Sequence, residues 1–214
     1  MLSLYDIEME LKKEARKVIS VFSSEAKMKK IELALKFGQT LEQAKVYSIK
    51  TDPVRLGQVV TNLISNGACQ LVVIPIGTDT LPLAIRFTAS SAVRRIETTY
   101  EVSFRPPDEG TCALPSNIGM PAVTPAPEDT PIWLFVSVKD TGPGLSPSEL
   151  AMLFKRFSQS NKMIHTRYGG SGLGLFICRK ITELLGGRIE VISSLGEGST
   201  FRFFIKTRTI AQPT

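Results

Sequence analysis

Residues 169–175 read Gly169-Gly170-Ser171-Gly172-Leu173-Gly174-Leu175, and the apolar spacing from Leu173 to Leu185 is that of a helix ended by Gly186-Gly187. Glycine in a helical turn costs roughly 1 kcal/mol against alanine, so four glycines at a helix start need an offsetting benefit. Consecutive backbone N–H groups, backed by the positive end of the helix dipole, form an anion site. The segment is not a P-loop, because GKS and GKT are missing, nor a dinucleotide-binding turn, because no strand precedes it. The alternative is a flexible hinge.

With 214 residues, 43% of them hydrophobic and 21% charged, the chain has material for one generous core. The longest apolar runs, Leu71 to Gly77 and Ile132 to Val138, have the length of strands and fall short of a bilayer crossing. No secretory signal stands at the N-terminus. Cys69, Cys112 and Cys178 are odd in number and form no CxxC pair, which speaks against a disulfide scaffold or zinc cluster and for a reducing, intracellular (cytoplasmic) setting. The net charge of +6 suits a phosphate-bearing partner, but charges of both signs are interspersed.

Periodicity predicts a strand at Leu4–Met9, a helix over Leu11–Ala26, and strands at Ile31–Phe37 and Val46–Ile49 that pair with each other. Asp52-Pro53 caps the next helix, with an apolar stripe of Leu56, Val59, Val60, Leu63 and Ile64. A strand runs from about Val93 to Phe104. Seven of the thirteen prolines then fall between Arg105 and Pro131, marking a loop or flexible insertion. Ile132–Val138 is a buried strand, Pro147–Leu153 a helix, and 188–192 with 200–205 a closing hairpin. The mixture favours an α/β (α+β) two-layer sandwich: a mixed, mostly antiparallel sheet with one helical layer.

Three further segments accompany the glycine run. Gln58, Asn62 and Asn66 share one helix face opposite the stripe, where amide oxygens suit metal or phosphate contacts, or simply meet solvent. Asp140-Thr141-Gly142-Pro143-Gly144-Leu145 follows a strand. Its carboxylate can accept from an exocyclic amine while the glycines admit a ring, or the segment is an ordinary tight turn. Leu195-Gly196-Glu197-Gly198-Ser199-Thr200-Phe201 is a hairpin turn.

In order and spacing these segments resemble the N box, the two glycine boxes and the terminal Gly-x-Gly-Ser/Thr of the histidine kinase catalytic and ATP-binding domain, a Bergerat fold. Leu153-Phe154-Lys155-Arg156-Phe157 stands where that family has its phenylalanine box. The resemblance spans about Asp6 to Lys206, is closest in style to fungal-type hybrid sensor kinases, and implies one domain over 1–208 with a tail at 209–214. It implies ATP and Mg²⁺ as ligands, with Asn66 on the metal and Asn62 lining the same site. Asp140 would bind the adenine amine, and Gly142 and Gly144 would shape its pocket. Ser199 or Thr200 would support Asp140. Residues 154–170, with Phe157, Lys162 and Tyr168, would form the ATP lid, and Gly170, Ser171, Gly172, Leu173 and Gly174 would reach the phosphates.

Related ATPases that hydrolyse ATP (heat-shock chaperone, gyrase and MutL types) carry a glutamate four residues before the metal Asn. Here that position is Asn62, which has no useful basicity. The resemblance therefore implies a phosphoryl donor to a histidine elsewhere, with a histidine-bearing dimerisation domain and a downstream receiver as partners. Neither nucleic acid nor a membrane segment is expected. The sole histidine, His165, lies in the lid segment and lacks the phosphoacceptor pattern, so the chain reads as a catalytic fragment or truncated product acting in trans. A nucleotide-binding remnant without kinase activity is the alternative.

After the metal Asn the family continues small-x-basic-aromatic-Thr. Gly67-Ala68-Cys69-Gln70-Leu71 breaks that pattern, and Ala84-Ile85-Arg86-Phe87-Thr88 supplies it. Joining Asn66 to Ala84 would put Arg86 on the phosphate-facing side of the helix. Residues 67–83 number 17, the length of a short in-frame intron. Gly67 fits a G|GT donor, Leu83-Ala84 a TTA|GCN acceptor, and Thr78-Asp79 a CTGAC branch-like sequence. We read 67–83 as a translated intron, with a natural loop insertion as the alternative. As written, the helix is expected to stop near Asn66.

Overall fold

A computed structural model describes residues 4–69, 94–122, 124–154 and 173–210. Its strands are β1 Ile7–Glu10, β2 Ile31–Phe37, β3 Ser48–Thr51, β4 Arg94–Ser103, β5 Pro131–Asp140, β6 Arg188–Ser194 and β7 Gly198–Thr209. The helices are α1 Leu11–Val21, α2 Ser23–Met28, α3 Gln39–Gln43, α4 Pro53–Cys69, α5 Pro147–Met152 and α6 Gly174–Leu184. The strands make one sheet in the order β1-β3-β7-β5-β4-β2, with β6 also on β7. Every pairing is antiparallel except β2 with β4.

Alternation builds the central strands. In β5, Ile132, Leu134, Val136 and Val138 are buried on one face, and Phe201, Phe203 and Ile205 of β7 extend that surface. Against it lies α4, whose stripe of Leu56, Val59, Val60, Leu63 and Ile64 is buried throughout and packs on β4, β5, α1 and α6. Each such side chain contributes roughly 1.5–3 kcal/mol by leaving water. Asp52 starts the helix: its Oδ1 accepts from the Arg55 amide at 3.0 Å, and its Oδ2 from the Tyr5 amide at 3.2 Å.

Two expectations need correcting. The strand at 46–49 does not pair with β2. Its ordered part, β3, pairs with β1 and β7, while β2 runs parallel to β4. The link from β2 to β3 contains α3 rather than a hairpin turn, so the chain leaves β2 before the next strand begins. The first long helix is two, broken at buried Phe22. The proline-rich segment is held to the sheet. The Phe104 amide donates to the Ile118 carbonyl at 2.7 Å, the Cys112 amide to Glu190 Oε2 at 3.0 Å, and the Ala126 amide to the Ala44 carbonyl at 3.3 Å. Cys112 and Phe135 are buried outside the main core, on the face away from the helices, and Phe135 packs tilted against Phe204 with ring centroids 5.7 Å apart. The segment thus covers part of the second sheet face.

Candidate functional site

Asp140 ends β5, paired in register with Ile96 of β4 on one side and Ser199 of β7 on the other. Its position is 3% exposed. Burial pushes its carboxyl above the usual aspartate range, opposed by the Gly142 N–H, the positive charge of Arg94 and the Ser199 N–H. The Gly142 amide donates to Oδ1 at 2.8 Å. A carboxylate so placed is costly unless donors meet it, so a donor-bearing ligand is favoured there.

The loop after Asp140 is stitched on both sides. Thr141 exchanges two bonds with Arg95 of β4: its amide donates to the Arg95 carbonyl at 3.1 Å, and its Oγ1 accepts from the Arg95 amide at 2.9 Å. The Gly196 amide donates to the Pro143 carbonyl at 2.7 Å, and the Leu145 amide to Ser193 Oγ at 2.8 Å. Gly144 has φ +70°, and a Cβ there would lie 1.9 Å from the Ser194 carbonyl oxygen. Its smallness is therefore required by the β6–β7 hairpin against which it packs. Of the two hydroxyl residues expected beside Asp140, Ser199 is buried and supplies the amide, and its Oγ lies 3.0 Å from Ser193 Oγ. Thr200 pairs with Lys139 and Ile192, so alternation turns it to the other face.

The last turn of α4 reaches Asp140 directly. A Cβ on Gly67 would stand 3.4 Å from Asp140 Cβ and 3.3 Å from Ile96 Cδ1. Preceding it, Asn66 carries a buried side-chain nitrogen without a hydrogen-bond partner among the described residues. An orphaned amide costs about 1–3 kcal/mol, which a ligand can recover: Nδ2 meets an acceptor such as phosphate, and the amide turned over offers Oδ1 to a cation. Asn66 therefore fits Mg²⁺ or phosphate. One turn earlier, Asn62 stands by the Cys178 thiol, which donates to the Val59 carbonyl at 3.9 Å and which burial pushes up to about 11, with Asn62 acting in the opposite direction. Gln58 accepts from Arg55 at 3.3 Å.

The helix does not stop at Asn66 but continues through Cys69. Gly67 and Ala68 are buried in it, and two cations reach carbonyls of its last turn: Arg94 Nη2 lies 3.3 Å from the Gly67 oxygen and Lys29 Nζ 3.3 Å from the Ala68 oxygen. Neither cation was a sequence candidate, since neither lies in a motif. At the start of α6, Leu173 is the N-cap residue, and a Cβ on Gly174 would meet nothing within 4 Å. Among the described residues no protein atom demands that glycine, whereas close approach of a ligand would. Arg86, Phe157, Lys162, Tyr168, Gly170, Ser171 and Gly172 lie outside the described residues.

Residues 115–209 match the family described as histidine kinase-, DNA gyrase B-, and HSP90-like ATPase. Over these residues the chain carries that family's ATPase domain. It is 34% identical to histidine kinase 5 of Arabidopsis thaliana over 72% of its length and 14% of that protein. With the circadian input-output histidine kinase CikA of Synechococcus elongatus it shares 30% identity over 93% of its length and 20% of that protein. The crystal structure of full-length ShkA in complex with AMPPNP superposes with TM-score 0.64 at 23% identity, covering all of this chain and 33% of that one. The chain thus spans only a fifth or less of the length of these curated relatives. The fold is that of the family's histidine kinase ATPase domains, the mixed two-layer sandwich of Bergerat type.

Proposed function

We propose that the chain is the ATP-binding catalytic domain of a sensor histidine kinase, an intracellular protein-histidine kinase module. It holds Mg²⁺-ATP for phosphoryl transfer to a histidine on another domain of a two-component phosphorelay. The observation that carries this reading is the convergence of buried Asp140 with the last turn of α4, where Asn66 presents an unpartnered amide.

Asp140, kept receptive by the Gly142 and Ser199 amides, accepts from the exocyclic amine of adenine, where a 6-oxo purine presents an acceptor oxygen instead. Asn66 would hold Mg²⁺, which would supply charge neutralisation at the phosphates. The N–H groups at the start of α6 face the phosphates. Asn62 is an amide and supplies no base for water, so the site orients ATP without hydrolysing it. The attacking histidine and the receiver that takes the phosphoryl group onward lie on partner domains. Among the described residues no helix is long and apolar enough to cross a membrane.

The test is to mix the protein with labelled ATP and a separate histidine-bearing dimerisation domain. Acid-labile label on that domain is the expected result. ATP binding without label would favour the inert remnant, and phosphate release by the chain alone would favour a hydrolase.

A further inference from the structure

The end of α4 that carries Asn66 has no basic residue of its own in its last turn. A helix C-terminus bears the equivalent of about half a negative charge on its unpaired carbonyls. Left bare, that end would oppose a triphosphate placed beside Asn66. Two cations from different parts of the chain meet it instead. Lys29, at the end of α2, is held by Glu25 at 2.5 Å and donates to the Ala68 carbonyl. Arg94, the first residue of β4, donates to the Gly67 carbonyl, on the residue that packs against Asp140.

We propose that Lys29 and Arg94 are positioning residues for the nucleotide: together they hold the last turn of α4, and with it Asn66, against the sheet, and cancel the negative helix end beside the phosphates. The inference rests on the ATP reading above. The two residues divide the work. Lys29 acts on the helix end alone, while Arg94 also places positive charge near Asp140 and so touches the adenine side of the site.

The experiment measures affinity of the full chain for adenosine, ADP and ATP by calorimetry, alongside the melting temperature. It uses the wild type, Lys29→Gln, Arg94→Gln, Arg94→Lys and the double glutamine variant. Losses should grow with phosphate number. Lys29→Gln weakens ATP roughly two- to fivefold, the effect of one cation at a helix end, and leaves adenosine unchanged. The double variant loses about tenfold for ATP, and Arg94→Lys recovers most of the loss of Arg94→Gln. Equal losses for all three ligands, or a lowered melting temperature with an unchanged ratio of ATP to adenosine affinity, mark plain helix capping and overturn the proposal. Should the wild type bind no ATP, or Asp140→Asn bind it equally well, the ATP reading itself falls.

Discussion

Asp140 sits where burial and function pull in opposite directions. Desolvation raises its carboxyl pKa, while adenine recognition needs the ionised form. Asp140→Asn is expected to weaken ATP binding tenfold or more, in line with about 1.5–3 kcal/mol for a hydrogen bond to a charged group. Calorimetry at pH 7 checks this. As pH falls toward the ordinary aspartate range, the folded protein takes up this proton before the unfolded chain does. Stability relative to Asp140→Asn therefore rises with acidification while ATP affinity falls. Parallel loss of both would contradict the assignment. Thr98 offers a second residue-scale check, because its buried Oγ1 has no hydrogen-bond partner among the described residues. Thr98→Val removes that stranded hydroxyl and should leave stability unchanged or raised by up to about 1 kcal/mol in a denaturant melt.

Among the elements, α4 is the one whose sequence and structure need each other most. Asp52, Pro53 and the apolar stripe mark its start and its buried face, because capping chemistry and a 3.6-residue period are local properties. Its end is not local. Gly67 is held by Ile96, Asp140 and Arg94, all from the sheet, and that is why the helix passes Asn66. Deleting 67–83 would put Ala84 in the place of Gly67, with a Cβ at 3.3–3.4 Å from Ile96 and Asp140, a contact the flexible Ile96 tip can absorb. Arg86 would then follow Asn66 by three positions. We expect the deletion variant to melt higher and to bind ATP more tightly, measured by thermal denaturation and calorimetry. Equal values would leave the segment a neutral insertion, and a spliced transcript still encoding 67–83 would end the intron reading.

Across the whole molecule, the segment between β4 and β5 changes the number of faces that must be kept from water. A two-layer sandwich leaves one sheet face open, but here Phe135 on that face is 5% exposed and Cys112 lies over the same side. Burial pushes the Cys112 thiol up to about 12, with the neighbouring Glu190 charge acting in the same direction, so it is a packed group rather than a reactive one. Replacing 106–130 by a short turn should cost about 1.5–3 kcal/mol for the uncovered phenylalanine and promote self-association, visible in sedimentation. A variant as stable and as monomeric as the parent would show that the cover is dispensable.

Legibility followed the range of the interactions. The Asp140 loop, the capped start of α4 and the alternation of β5 and β7 all depend on neighbours a few residues away, so the sequence alone determined them. The parallel pairing of β2 with β4, the choice of Ser199 over Thr200 and the arrival of Lys29 and Arg94 at the end of α4 were decided only by the tertiary structure. Each depends on strand register or on packing between segments remote in the chain, and periodicity carries no information about which distant partner a buried group will meet.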